Sequence, residues 1–545
     1  MKVALPGALE SARKGVAELR FATSVASRIG LVGRDGLRLV PAIVSAGRKW
    51  GTVPAAGYEP AAGAFGDAVG LIDDCGSLTF NELRAQSNAI AVALGERGIG
   101  EGDKVALLVR NHRWLPLTTA ALGKLGADGI FLNTGFSAPQ AVEVTAREGA
   151  VAVIADEEYE PVVGGIALPR YLAWTDDEAG AKVVPTLAEL ADEAAGRVPP
   201  KPGRAARTVI LTSGTTGTPK GASRGTENST NAALGFLDLV PLKVRDTTLV
   251  AAPGFHAWGA AHLASSLLLA STVILQRRFD PEAVLAGIAE HRVRTLVVVP
   301  VMLQRMLDLP GDVRAKYDTS SLEVVASSGS ALPGPLAHRW MDAFGENLYN
   351  CYGSTEVAMA AIATPTDLRA GPGTAGRPPH GTTVALLDES GREVAAGETG
   401  RIFVGSDALF EGYTGGGNKE VIDGLMSTGD VGHFDTEGRL FVEGRADDMI
   451  VSGGENVYPA EIEDLLAALP DVADVAVVGV ADDEFGQRLA AFIVKRPGAT
   501  LSEQDVKAAV KSGLANYKVP RDVTFLDELP RNATGKILRR ELKPT

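Results

Sequence analysis

The sequence predicts an α/β protein of more than one domain, and three observations carry that reading. Short, nearly uninterrupted apolar runs recur between stretches of helical periodicity. From about Thr382 the pattern turns to short strands separated by glycine-containing turns. The chain's 545 residues also exceed what a single hydrophobic core ordinarily organises.

The apolar runs are Lys104 to Val109, Val151 to Ile154, Thr208 to Leu211, Thr272 to Leu275 and Thr295 to Val299. A strand covered on both faces is apolar at nearly every position, whereas a half-exposed strand alternates, so these runs read as buried strands of a largely parallel sheet. Phe80 to Glu96 and Pro281 to His291 carry helical spacing, and the Pro/Gly/Arg-rich stretch 195–207 reads as a loop. Further on, Val384 to Leu387, Arg401 to Val404 and Arg439 to Val442 read as strands, with turns at Ser390–Gly391 and Glu437–Gly438. After Gly444 a compact α+β tail is expected. Its helix from Pro459 to Leu469 opens on proline and acidic residues, as the helix dipole favours. Strands at Val475 to Val480 and Leu489 to Val494 precede a helix from Ser502 to Leu514, opened by Ser502 and Asp505 in a box-like cap. The expected division is an N-terminal arm, 1–50, a large domain, 51–444, and a small domain, 445–545.

The formal net charge of −14 argues against a broad attraction to nucleic acid. Cys75 and Cys351 stand far apart, with no disulfide framework and no Cys-x-x-Cys spacing, as in a chain of a reducing compartment. Charges and prolines break up the N-terminus, which therefore lacks a signal-peptide core. The longest uncharged apolar stretch, Leu263 to Leu275, is too short to span a bilayer. These features together predict a cytoplasmic protein. The charge is uneven, however. Residues 1–50 hold nine Lys/Arg against Glu10, Glu18 and Asp35, a net of +6, which leaves −20 for the remainder. A basic, partly helical arm on an acidic body suits peripheral contact with an anionic membrane surface.

Five motifs carry the chemistry. The sharpest is Thr212 to Gly221, TSGTTGTPKG. Gly214, Gly217 and Gly221 let the backbone approach a ligand closely. Ser213, Thr215, Thr216 and Thr218 add hydroxyls, and Lys220 adds a positive charge, which together suit a polyphosphate. The spacing is not that of a Walker loop. Tyr352 to Glu356, YGSTE, sets a carboxylate beside a Gly-Ser-Thr turn, where it can ligate Mg2+. Ser427 to Asp430, STGD, offers an aspartate at a turn that can accept both hydroxyls of a ribose. Arg445 to Pro459 contains Asp447, Asp448 and the pair Gly453–Gly454. Pro530 to Arg540 places Lys536 on a glycine-containing loop.

The order and spacing of these motifs resemble the adenylate-forming superfamily of acyl-CoA synthetases, luciferases of the firefly type and adenylation domains of peptide synthetases. The resemblance runs from about Leu78 to the C-terminus. It implies a large N-terminal domain of several subdomains and a small, mobile α+β C-terminal domain, with a hinge near Asp447. It also implies ATP, Mg2+ and coenzyme A. By the same resemblance Thr212, Ser213, Gly214, Thr215, Thr216, Gly217 and Lys220 would hold the β and γ phosphates. Gly329, Ser330 and Ala331 would form one wall of an adenine site, and Asn350, Cys351, Tyr352 and Gly353 another. Thr355 would meet the α-phosphate, Thr216 and Glu356 would serve Mg2+, and Asp430 and Arg445 would bind the ribose. Lys536 would be the catalytic lysine of adenylation, and Gly453 and Gly454 would border the passage of the thiol.

The substrate acid is read from Ala252 to Gly259, APGFHAWG. Members that activate amino acids carry an aspartate after this phenylalanine. Here the position is His256, expected beside the substrate carboxylate. The following Trp258, Gly259, Ala260, Ala261, Leu263 and Ala264 are apolar and mostly small, as the lining of a tunnel for a medium or long fatty acid would be. The expected activity is fatty acid–CoA ligation with release of pyrophosphate and AMP. The alternatives are a fatty acyl-AMP ligase that loads a carrier protein and an aryl-acid CoA ligase.

Overall fold

A computed structural model describes residues 5–51, 56–176, 184–212, 220–223, 230–414, 416–446, 449–452, 455–482, 486–533 and 535–544. The chain divides into two compact units. Unit 1 is Met1–Val297 with Ser321–Val324 and Tyr413–Gly415. Unit 2 is Val298–Ser320, Val325–Gly412 and Gly416–Thr545.

Unit 1 begins with two helices, α1 (Leu5–Arg28) and α2 (Arg34–Trp50), followed by α3 (Glu59–Phe65). Two sheets follow. In the first, Thr295–Val298, Thr247–Val250, Thr272–Leu275 and Val69–Asp73 lie side by side in parallel, and Gly76–Thr79 closes the edge as an antiparallel hairpin. In the second, Thr208–Thr212, Asp128–Phe131, Lys104–Leu108, Ala152–Ala155 and Arg170–Leu172 run parallel, and Lys220–Ser223 turns back on Thr208–Thr212. Every apolar run picked out in the sequence falls on one of these strands to within one residue at its ends. All residues of Thr295–Val298 and Ala152–Ala155 are buried, which is why those runs do not alternate.

Helix α4 (Phe80–Glu96) has the predicted limits, because Thr79 caps it in a reciprocal box with Glu82. It packs on α5 (Trp114–Leu125) around a buried cation. The Lys124 ammonium donates to Ser87 Oγ at 2.9 Å and Asn88 Oδ1 at 2.7 Å. It also forms an ion pair with Glu59 of α3 at 2.6 Å, and its Nζ lies 5.3 Å from the centre of the Trp50 ring. One lysine thus ties four helices together. Its burial lowers the ammonium pKa, and Glu59 opposes that shift.

Unit 2 contains three strand groups. Val324–Ser327 pairs in parallel with Leu348–Ser354, which returns as a hairpin to Ala358–Ala363. An antiparallel sheet contains Thr383–Leu387, Gly400–Gly405, Leu425–Phe434 and Leu440–Arg445. The last strand extends three residues beyond its predicted end at Val442, since its partner strand continues to offer hydrogen bonds. The C-terminal α+β part pairs Val472–Asp482 with Gly486–Lys495, and Asp522–Leu526 adds in parallel. Its core joins Ile462 and Leu466 from helix Pro459–Ala467 to Val475, Val477, Leu489 and Val506. The predicted cap of helix Glu503–Gly513 is present: Ser502 Oγ accepts from the Asp505 amide, and Asp505 reaches back to Ser502. Among the described residues no helix is long and apolar enough to cross a membrane.

Removing Lys124 strands the Glu59 carboxylate at a nearly closed site. Lys124→Met is expected to cost roughly 3–5 kcal/mol, the usual loss on breaking one side of a buried pair. Denaturant unfolding followed by tryptophan fluorescence measures it. Adding Glu59→Gln to Lys124→Met is expected to recover part of the loss, because no unpaired charge then remains.

Candidate active site

The charged centre of unit 2 is set by strand register. Leu425–Phe434 and Leu440–Arg445 pair so that Asp430 lies opposite Arg445, and the Arg445 Nε stands 3.6 Å from Asp430 Oδ1. Gly429, just before Asp430, has φ +83°, and a Cβ there would meet the Arg445 guanidinium at 3.1 Å. The Asp430 amide donates to Thr428 Oγ1 at 3.0 Å, and the Tyr352 hydroxyl donates to Asp430 Oδ2 at 2.5 Å. Burial raises the Asp430 pKa, against the pull of Tyr352, Arg445, Lys419 and Lys536. Burial beside Asp430 also pushes the Tyr352 phenol far up, which keeps it a donor.

The second wall is built by a bend. Ser328 Oγ donates to the Cys351 carbonyl at 2.7 Å, and Gly329 follows with φ +97°. Ser330 and Ala331 continue this wall, and Asn350 and Gly353 face the same cavity, of about 510 Å3. That size lies within the usual range for small-ligand sites. The Asn350 amide oxygen is buried and has no partner among the described residues. Burial pushes the Cys351 thiol up to about 12, so it is a protonated wall residue rather than a nucleophile. After Ser354 the chain turns through Thr355 and Glu356. The Glu356 amide donates to Ser354 Oγ at 3.2 Å, and the Glu356 carbonyl accepts from Phe410 N at 2.8 Å. Ala358 closes the turn at φ +61°.

Lys536 enters the same cavity from the C-terminal part of unit 2. Its loop is closed at the base, where the Leu538 amide donates to the Pro530 carbonyl at 2.8 Å. Asn532 Oδ1 accepts from the Lys536 amide at 2.9 Å, and Arg531 binds Asp474 at 2.6 Å. Gly535 is required twice over: its φ is +81°, and a Cβ would meet Val301 Cγ1 at 2.6 Å. The Lys536 side chain is exposed to the cavity, so water reaches it, while the surrounding protein lowers its pKa by partial dehydration. Asp430 and Glu356 oppose that shift, and Arg445 adds to it. Lys536, Asp430, Arg445 and Glu356 are therefore one electrostatic group.

In unit 1, Thr212 and Lys220 lie opposite each other where two antiparallel strands end. Lys220 is exposed, with its ammonium 5.2 Å from the Tyr413 ring centre. Residues 213–219 of this motif lie outside the described residues, so Ser213, Gly214, Thr215, Thr216 and Gly217 do as well. Gly453, Gly454 and Asp447 also lie outside them. His256 occupies the N-cap position of helix Ala257–Leu268. The buried Asn111, which the sequence reading did not single out, holds the preceding loop. Its amide donates to the carbonyls of Val250 and Ala252 at 3.1 and 2.9 Å, and its oxygen accepts from the Gly254 amide at 2.7 Å. An isolated asparagine 145 residues before His256 carries no local signal of that role. Phe236 and His262, which the sequence did not single out, form an aromatic cluster with Trp258. Trp258 and His262, one helical turn apart, have ring centres 4.1 Å apart, and Phe236 meets both edge-on at 6.3 and 5.4 Å.

Comparison with known proteins identifies the family. Residues 58–414 match the AMP-binding enzyme family, and residues 461–536 match the AMP-binding enzyme C-terminal domain. The chain is 33% identical over 531 residues to the 3-[(3aS,4S,7aS)-7a-methyl-1,5-dioxo-octahydro-1H-inden-4-yl]propanoyl:CoA ligase of Rhodococcus jostii (strain RHA1), covering 90% of this chain and 98% of that one. It is 36% identical over 475 residues to a feruloyl-CoA synthase of an Amycolatopsis species, covering 86% and 94%. Among solved structures, the o-succinylbenzoate CoA synthetase of Bacillus subtilis, in complex with its acyl-adenylate intermediate, superposes with a TM-score of 0.77 at 28% identity, covering 90% and 98%. The chain therefore belongs to the AMP-binding enzyme family of the adenylate-forming superfamily, with that fold's large N-terminal and small C-terminal domains. Adenylate-forming CoA ligases use ATP, Mg2+ and coenzyme A.

The buried His262 yields a pH prediction. Its Nδ1–H donates to the Trp258 carbonyl at 3.1 Å, and burial pushes the imidazole down to about 4. The unfolded chain takes up this proton near pH 6.5, and the folded chain only near pH 4. Folding stability is therefore lost as pH falls through that window, by about 3 kcal/mol at its lower end. His262→Phe lacks the group. Melting temperature measured from pH 7 to pH 4 is expected to fall less steeply in the variant than in the native chain.

Proposed function

We propose that this chain is an AMP-forming acid–CoA ligase whose acid carries one or more rings. The observation that carries the reaction is the convergence of Lys536, Asp430 and Arg445 on a single cavity, with the Glu356 carboxylate acting electrostatically on Lys536. A carboxylate is a poor acyl donor, because its leaving group would be oxide. In the proposed first step a carboxylate oxygen bonds to the α-phosphorus of ATP, and the bond to the bridging oxygen of pyrophosphate breaks. Two anions must meet, so cations aimed at the developing charge are the main device available. Lys536 supplies one. Glu356, with Thr216, would hold Mg2+, which neutralises phosphate charge when bound.

Asp430 and Arg445 suit the ribose: a buried carboxylate accepts from hydroxyls, and the guanidinium donates while opposing the upward pull of burial on that carboxyl's pKa. The buried oxygen of Asn350, lacking a donor among the described residues, suits the exocyclic amino group of adenine, with the bend at Gly329 to Ala331 as the opposite wall. Thr355 is assigned to the α-phosphate. The loop from Thr212 to Lys220 is assigned to the outgoing phosphates, and His256 to the acid. In the second step the CoA sulfur bonds to the acyl carbon, AMP departs with the oxygen, and the thiol proton is released. Gly453 and Gly454 are assigned to the path of the thiol. The arm 1–50, the large domain 51–444, the small domain 445–545 and a hinge at Asp447 belong to the same reading.

Two observations favour a ring over the alkyl chain suggested by the small residues after His256. Flat side chains, Phe236 and Trp258, stand beside His262 on the elements that follow the motifs, and such faces stack on planar groups. More of the similar relatives are named for ring-bearing acids than for a fatty acid, which one of them, at 32% identity, is named for. Incubation with ATP, Mg2+ and CoA, read by mass spectrometry, tests the proposal over indoleacetate, ferulate, succinylbenzoate and C8, C12 and C16 fatty acids. The highest kcat/KM is expected on a ring-bearing acid with AMP as coproduct. A fatty acid as best substrate would restore the aliphatic reading, and transfer to a carrier protein but not to CoA would change the acceptor.

Lys536→Ala is expected to slow acyl-AMP formation by about 10²–10³-fold, the usual loss of one preorganised charge at a reacting oxygen. Attack of CoA on supplied acyl-AMP should largely survive. Single-turnover kinetics of each half-reaction separate the two.

A further inference from the structure

We propose that the outer face of α2, together with the exposed turn of α1, is a docking surface for an anionic lipid bilayer. The inference is independent of which acid the enzyme takes. Helix α2 carries apolar residues on a buried side and on a separate, exposed side. Gly36, Leu39, Ala46 and Trp50 are buried against unit 1. On the other side Leu37 is 71% exposed, and Val40 and Val44 are exposed with it. At 100° per residue, Leu37, Val40, Pro41 and Val44 fall within an arc of about 100°. A solvated helix face is ordinarily polar, so this stripe lacks the composition that water alone would select. Val32, in the turn between the helices, is exposed, as are Val16 and Leu19 of α1, the latter at 68%. All residues from Gly15 to Arg20 are exposed.

Charge names the occupant. Arg34, Arg38 and Arg48 are exposed around the α2 stripe, and Arg20 is exposed beside Leu19. The arm carries +6 while the rest of the chain carries −20. A second copy docked through this same face would set a like-charged arm against the arginines. An anionic bilayer satisfies both features, because headgroup charge meets the arginines and the acyl boundary takes the apolar stripe. It would also repel the net acidic body, which favours approach through this face. Residues 1–50 lie outside the stretch that matches the AMP-binding enzyme family, so the surface is an addition to that fold.

The test is co-sedimentation of the full chain with vesicles of dioleoyl-phosphatidylglycerol and dioleoyl-phosphatidylcholine, 1:1, compared with phosphatidylcholine alone. Binding to the mixed vesicles is expected, with loss in high salt. Each neutralised arginine near the surface should weaken partitioning about fivefold, so the variant Arg34→Gln/Arg38→Gln/Arg48→Gln should fall by about a hundredfold. Leu37→Gln/Val40→Gln/Val44→Gln should fall by at least tenfold. ATP-dependent turnover of a soluble acid, unchanged in both variants, verifies that they fold. No binding of the native chain to the mixed vesicles overturns the proposal, as does unchanged binding by either variant. Self-association of the native chain in sedimentation velocity, abolished by the apolar variant and unaccompanied by vesicle binding, would assign the face to a second copy and also overturn it.

Discussion

The register between strands Leu425–Phe434 and Leu440–Arg445 is the constraint on which the charged centre of unit 2 depends. Antiparallel pairing places Asp430 opposite Arg445, and the Tyr352 phenol is then close enough to donate to the same carboxylate. A slip of one residue would turn one of the two charged side chains to the other face of the sheet, away from its partner. Gly429 tolerates the guanidinium beside it only because it has no Cβ. A buried carboxylate is costly unless paired and hydrogen-bonded, and here phenol, guanidinium and ammonium all act on one group. The site is therefore an arrangement of mutually dependent charges, in which Lys536 is set by a separate, tightly pinned loop.

That loop shows how a flexible side chain is made specific. Lysine alone has four rotatable bonds and little preference for position. The Asn532 side chain and the Arg531–Asp474 pair hold the backbone beneath it, and Gly535 lets the loop approach Val301 closely. Asn111 plays the comparable part in unit 1, where its amide takes up both ends of the loop that leads to His256. In each case the group with the chemistry is ordinary, and its geometry is supplied by amide and glycine positions that carry none.

The N-terminal arm obeys a different logic. The fold needs only the inner side of α2, where Trp50 lies beside the ring of α3, α4 and α5 residues gathered around Lys124. The outer side is free to be wholly polar, yet it carries an apolar stripe among its arginines. Acids with large apolar ring systems partition toward membranes, so a basic, apolar face on a ligase of such acids would place the enzyme near its substrate.

The sequence by itself determined the α/β class, most strand positions, the ends of helix α4 and the five motifs. Burial on both faces leaves an unbroken apolar run, and capping leaves a local signature such as Thr79 with Glu82; both are effects of neighbours within a few residues. It also determined which charges are available, because glycines, hydroxyls and a lysine within ten residues are a compositional fact. Only the tertiary structure decided which of them meet. Asp430 and Tyr352 are 78 residues apart, and Asn111 lies 143 residues from the amide it holds. Such contacts depend on strand register and loop closure across long separations. Neither is encoded in any short window, so the partners of a charge, and with them its protonation, became legible only when the chain was folded.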